Sequence, residues 1–193
     1  MMRTLLFCAA IMAGSQADAW EWKRLPSLPD ARGFAGPFAG VSDGVLLVAG
    51  GANFPDKKPW DGGKKVWYDT VFALERPDGA WKVAGHLSRP LAYGVSVTHR
   101  NRTVCVGGSD AERHYAEAFR LEWKAGSVAV TPLPPLSRPV ANACGALVGD
   151  TLYIAGGQDK PDSWNGLWAI PSGEVRPGVR TPEVWGSTPG SQE

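Results

Sequence analysis

The chain has almost no charge excess: 20 lysine and arginine residues face 19 aspartates and glutamates, for a formal net charge of +1. That excludes the strongly basic surface by which proteins hold nucleic acid or an anionic membrane. Histidine is scarce, and His86, His99 and His114 are too few and wrongly spaced for a zinc or copper centre. Glycine-rich patches end strand-like runs without leading into helices, so they are not phosphate-binding loops. No long apolar run is present either. The run from Thr4 to Ala13 is too short to span a bilayer. Preceded by Arg3 and followed by the small residues of Ala17-Asp18-Ala19, it predicts a secretory signal peptide over 1–19, with Trp20 as the mature N-terminus and no membrane anchor. A periplasmic or secreted location follows as an expectation. Phe7, before Cys8, is too bulky for a lipid-attachment site, which leaves Cys105 and Cys144. An exported protein could pair these two, but both fall in apolar strand-like runs, which favours two buried thiols over a disulfide.

What is present is turn chemistry and large aromatics. The 24 glycines, 16 prolines and 9 tryptophans, with few helical runs, point to an all-β chain. Three segments superimpose: "VLLVAGG" ending at Gly51, "TVCVGG" ending at Gly108 and "TLYIAGG" ending at Gly157. Arg32, Arg89 and Arg138 each stand 18 residues before the first glycine of a pair, and "LSRP" recurs at Leu87 to Pro90 and Leu136 to Pro139. A second strand-like run follows each pair ("VWYDTVFALE", "YAEAFRLEW", "NGLWAI"), and Trp81 and Trp123 then lead back towards "LSRP". Each unit therefore reads as a four-stranded antiparallel blade, and a period of about 50 residues is that of a kelch-type propeller. The first interval is lengthened by "ANFPDKKPWDGGKK", a polar insertion expected as a loop on one rim. The glycine pairs are expected where a strand turns sharply beside its neighbour with positive φ.

The segment "WEWKRLPSLPDAR" reads as the last strand of a blade whose other strands come from the far end of the chain, where "WAIPSGE" and "TPEVWGS" fit two of them. At about 50 residues per blade, residues 20–193 make only three to four blades, too few for a closed ring. Gly173-Glu174 follows the third glycine pair too closely to belong to a separate complete blade. The expectation is an incomplete kelch-type β-propeller over 20–193 with blades missing near 167–171, by deletion or through an error in the gene prediction. An open ring exposes sheet edges and apolar blade faces, so self-association through those edges is expected.

The stretches "GFAGPFAGVSDGVLLVAGGANFP", "LSRPLAYGVSV" and "PSGEVRPGVRTPEVW" behind a signal peptide resemble the cyclically permuted mutarotase family. Its members are kelch-like six-bladed propellers related to the bacterial N-acetylneuraminate (sialic acid) mutarotase, or epimerase. The resemblance implies a cofactor-free isomerase that interconverts α and β anomers of a sugar acid. It also implies that Glu174, in "GEVRPGVRT", is the proton acceptor and that Arg180, six residues later, acts with it. Anomer exchange needs a base for the anomeric hydroxyl and an acid for the ring oxygen, and an arginine can hold the sugar's carboxylate in a two-pronged pair. The chemistry thus accounts for a carboxylate where the repeat offers a glycine. Without that role, Glu174 is an exposed loop acid beside Arg176 or Arg180.

Arg32, Arg89 and Arg138 precede the strands that line the channel of such a propeller. They either crown one mouth with positive charge that attracts an anionic sugar, or bridge neighbouring blades through backbone carbonyls. Tyr93 and Asn142 occupy nearby offsets and are further candidates for substrate contact. No sialidase-type Asp-box is visible. Asn101-Arg102-Thr103 fits a glycosylation sequon, and equally a hairpin turn. The alternative class is a kelch propeller that binds a glycan or protein without catalysis, which would not require Glu174 and Arg180.

Overall fold

The computed structural model describes residues 21–160 and the backbone of a strand at 167–171. Strands β1 (Phe38–Ser42) and β2 (Val45–Ala49) begin the first blade. The polar insertion then forms a side arm of two short paired strands, β3 (Ala52–Asn53) and β4 (Val66–Trp67), around a 3-10 turn at Pro59–Asp61. Strands β5 (Thr70–Leu74) and β6 (Lys82–His86) complete an antiparallel sheet in the order β1-β2-β5-β6. The second blade is β7 (Val95–His99), β8 (Arg102–Val106), β9 (Ala118–Lys124) and β10 (Ser127–Leu133), again paired in chain order. The third contributes β11 (Ala141–Val148), β12 (Thr151–Gln158) and β13 (Leu167–Pro171). These sheets are the blades of an incomplete propeller.

Local chemistry sets the hairpins. Asp43-Gly44, Arg100-Asn101 and Ala125-Gly126 each place two consecutive residues at positive φ, the requirement of the tight turn whose twist matches the flanking strands. Asn101 therefore serves a turn, and Thr103 of the sequon is fully buried. The turn at Ala125-Gly126 corrects one expectation. Trp123 does not lead a fourth strand but lies inside β9, and the fourth strand is the "SVAVTPL" run that follows.

The blades stack through apolar faces. Phe38, Leu47, Ala49 and Val71 of the first blade meet Cys105, Phe119 and Leu121 of the second, with Phe38 edge-on to Phe119 at a centroid distance of 5.4 Å. Val95 and Val106 of the second meet Leu152 and Ile154 of the third. Each such side chain taken from water contributes roughly 1.5–3 kcal/mol, so these two interfaces hold the blades together. The innermost strands lie side by side. The backbone N–H groups of Ala39 and Val41, on the free edge of β1, donate to Ser96 Oγ and Thr98 Oγ1 of β7 at 2.9 and 2.8 Å.

On the third blade the equivalent apolar face has no cover among the described residues. Val95 is buried, whereas Cys144, its counterpart 49 residues on, is exposed, as is Tyr153. The expectation of two buried thiols is thus corrected by half: both cysteines are free, Cys105 inside an interface and Cys144 on the open face. Burial pushes the Cys105 thiol far above its ordinary pKa. The segment from Glu21 to Leu28 pairs with no strand among the described residues, and "TPEVWGS", expected beside it, lies outside them; the segment is tied to the first blade where Trp81 Nε1 donates to Pro26 O at 2.8 Å. Leu167–Pro171 pairs with β12 along its whole length, so "NGLWAI" supplies the third strand as expected, and residues 168–171 are not free to serve as well in a closing blade.

Candidate functional site

In an antiparallel meander the first and third turns of a blade lie at one end, and the second connection and the link to the next blade at the other. The glycine pairs, the insertion arm, Arg32, Arg89, Arg138, Tyr93 and Asn142 therefore share one end of the molecule. The glycines are what allow the blades to close up there. Gly50 and Gly107 have φ of +66° and +68°, and a Cβ on either would come within 2.2 Å of a carbonyl oxygen of the following blade's entry loop, Leu91 O or Val140 O. The next glycines seal the contact: Gly51 N donates to Leu91 O at 2.8 Å and Gly108 N to Val140 O at 2.7 Å.

One turn further in, Gly36, Tyr93 and Asn142 hold the same place in successive blades. Their spacings, 57 and 49 residues, are those of the glycine pairs. All three are left-handed, with φ of +60°, +63° and +57°. A backbone chain joins them, Tyr93 N to Gly36 O at 2.7 Å and Asn142 N to Tyr93 O at 2.8 Å. Left-handed backbone is unfavourable for tyrosine, and such outliers cluster where a side chain must be aimed at a ligand. Asn142 Nδ2 donates to Gln158 Oε1 at 3.1 Å, while the Tyr93 ring lies under the ammonium of Lys65, 4.3 Å from its centroid.

The arginines behave differently from one another. Arg89 Nη2 pairs with Glu117 Oε1 at 3.0 Å, and its guanidinium lies 4.7 Å from the Tyr115 ring centroid. Its Nε is buried with no acceptor. Arg138 Nη1 is 3.8 Å from Asp159 Oδ2. Arg32 is exposed, and only its backbone N–H is held, by Asp30 Oδ1 at 2.8 Å. The two ion pairs lie within a blade, each joining the residue before the first strand to the neighbourhood of the second connection. Arg89 and Glu117 also line a cavity of 510 Å³ between the outer strands of the first two blades, walled by Leu87, Phe119 and Val130.

Beside Arg89 lies a polar knot that sequence reasoning missed. Tyr115 Oη donates to Asp110 Oδ2, which is further held by the backbone N–H groups of Glu112 and Arg113 through Oδ1 at 2.8 and 3.0 Å. Desolvation pushes the Asp110 carboxyl up, but these hydrogen bonds and the charge of Arg113 outweigh it and hold the group below its ordinary pKa. The first blade repeats the motif with Tyr68 Oη donating to Asn53 Oδ1 at 2.8 Å. The signal was legible: Asn53 and Asp110 both stand three residues after the first glycine of a pair. His114, dismissed as a ligand, reaches the third blade through Nδ1 to Gln158 O at 3.1 Å. Glu174 and Arg180 lie outside the described residues.

The family description for N-acetylneuraminate epimerase matches residues 8–130, which take in the first blade, the second as far as the middle of β10, and the glycine pairs of both. The chain belongs to the N-acetylneuraminate epimerase family. The N-acetylneuraminate epimerase of Yersinia enterocolitica is 37% identical over 139 residues, which are 62% of this chain and 34% of that protein. That of Haemophilus influenzae is 38% identical over 106 residues, 48% of this chain and 28% of its relative. The chain thus spans about a third of the length of the curated relatives it matches. Among solved structures, "Structure of YjhT" superimposes with a TM-score of 0.53 at 28% identity, over 60% of this chain and 36% of that one. Partial coverage agrees with a shortened epimerase-family propeller.

Proposed function

We propose that this protein is an exported sugar mutarotase that interconverts the α and β anomers of N-acetylneuraminate, with an internal shortening near 167–171 relative to its family. The observation that carries the reading is the aligned Gly36-Tyr93-Asn142 chain, left-handed in three successive blades and flanked at the same end by Arg32, Arg89 and Arg138. Side chains aimed by left-handed backbone at Tyr93 and Asn142, beside arginines that can meet a carboxylate, suit an anionic sugar.

In the proposed reaction Glu174 accepts the proton of the anomeric hydroxyl as the bond from the anomeric carbon to the ring oxygen breaks, and the ring oxygen takes up a proton. The open-chain ketone then closes on its other face, with the proton transfers reversed. Arg180 acts with Glu174 by stabilising the charge that develops as the ring opens. Arg89 is held ready by Glu117 and Tyr115, and its buried Nε is a donor that lacks an acceptor.

The test is one-dimensional proton NMR of freshly dissolved α-N-acetylneuraminate, timing its approach to the β anomer. Accelerated exchange that vanishes in Glu174→Gln, with unchanged circular dichroism, is the expected result. Exchange that survives the substitution removes Glu174 as the base. Binding of the sugar without any acceleration would point to the glycan-binding reading.

A further inference from the structure

Lys65 ends the polar insertion, and its ammonium lies over two rings, 4.3 Å from the centroid of Tyr93 and 5.1 Å from that of Trp67. It is only partly exposed, and among the described residues no carboxylate lies within ion-pair distance of it. Trp67 Nε1 is buried and has no acceptor among the described residues, so the indole meets the arm's surroundings through its face, beneath the ammonium, and not as a donor open to a ligand.

The arm is fixed against the aligned chain. Trp67 pairs with Ala52 in the β3–β4 ladder, Ala52 exchanges backbone hydrogen bonds with Ala35 at 2.8 and 3.0 Å, and the neighbouring Gly36 holds Tyr93. The sequence explains why an arm stands here. The insertion interrupts the first blade between its second and third strands, at the end where Tyr93 and Asn142 lie. Aromatic faces can hold an ammonium in place without neutralising it, so its charge stays available.

We propose that Lys65, held on the rings of Tyr93 and Trp67, binds the carboxylate in the sugar-acid site, an assignment that rests on the mutarotase reading for the identity of the ligand. A carboxylate is the simplest acidic group that meets an ammonium left without a charged partner. Tyr93 then has two tasks. It carries Lys65 on its ring, and its left-handed backbone links the arm to Asn142 of the third blade.

The experiment titrates the full chain, and its Lys65→Gln, Lys65→Arg and Trp67→Phe variants, with N-acetylneuraminate and with its uncharged methyl ester by isothermal calorimetry. Lys65→Gln should weaken binding of the acid by about tenfold, the equivalent of about 1.4 kcal/mol, and leave the ester nearly unchanged. Lys65→Arg should restore most of the loss, and Trp67→Phe, which keeps an aromatic face beneath the ammonium, should leave most of the acid binding in place. Equal losses for acid and ester, no loss at all, or a wild-type chain that does not bind the acid would each overturn the assignment. Anomer exchange is read separately by NMR. Lys65-dependent binding without exchange supports the subsite and removes the mutarotase reading. Exchange with binding indifferent to Lys65 does the reverse.

Discussion

The glycine pairs allow the propeller geometry to be tested with an internal control. Gly107→Ala introduces a Cβ 2.2 Å from Val140 O and 2.6 Å from Val140 Cγ1, at a φ of +68°. Three costs follow. The left-handed conformation costs a residue with a Cβ about 1–2 kcal/mol. The overlap falls on backbone of the next blade, which must move, and overpacking of this kind costs about 1–3 kcal/mol. That movement strains the hydrogen bond from Gly108 N to Val140 O, 2.7 Å long, a further contribution of about 0.5–1.5 kcal/mol. Together these come to about 2.5–6.5 kcal/mol. Gly156 has the same φ, +69°, and the same place in the third blade, but among the described residues its added Cβ meets nothing within 4 Å. Gly156→Ala should therefore cost only the conformational share, about 1–2 kcal/mol. Urea unfolding followed by tryptophan fluorescence separates the two. With a slope of about 2 kcal/mol per M, the midpoints should differ by about 1 M, and Gly50→Ala should fall with Gly107→Ala. Equal midpoints for Gly107→Ala and Gly156→Ala would refute the argument that the pairs exist to admit the next blade.

The other expectations are simpler to state. Glu174→Gln should abolish anomer exchange with no change in circular dichroism, and Lys65→Gln should weaken the acid but not its methyl ester. Cys144 should react with a thiol reagent in the native protein, and Cys105 only on unfolding; peptide mass spectrometry of labelled protein distinguishes them, and native labelling of Cys105 would contradict its burial. Asp150 links the second and third blades at the end opposite the candidate site, with Oδ1 2.7 Å from His99 Nε2 and Oδ2 accepting from Arg100 Nη2 at 2.6 Å. The hydrogen bond to His99 does most to hold its pKa below the ordinary carboxylate value; desolvation opposes it, and the hydrogen bond and charge of Arg100 reinforce it. Because the folded pKa is depressed, the stabilisation is complete above the unfolded value and is lost as the pH falls through the folded one. Asp150→Asn should flatten the fall of stability with acid below about pH 4, and an unchanged slope would remove the linkage.

The parts of this fold that could be read from the sequence are those in which one residue type has one physical use. A glycine pair ending an apolar run has few structural explanations, and three pairs in register with three arginines gave the blades, their order and the end at which the candidate residues meet. Reading failed where a residue type has several uses. The run "SVAVTPL", which holds Pro132, was not singled out as a strand, yet it is β10, an outer strand with β9 on one side only, where a proline is tolerated. Trp123 resembled Trp81 in position, but the turn at Ala125-Gly126 shows it to be a third-strand residue.

The site divides along the same line. Arg89 and Arg138 were found because they repeat, but their carboxylate partners Glu117 and Asp159 could not be assigned without knowing which connections share an end. Lys65 was passed over because it lies in an insertion that belongs to one blade alone, and a repeat reveals only what it repeats. That is also a reason to look for specificity there. Residues in register build a scaffold that every blade shares, so whatever distinguishes one sugar acid from another has to come from positions that break the register, as the insertion arm does at Tyr93.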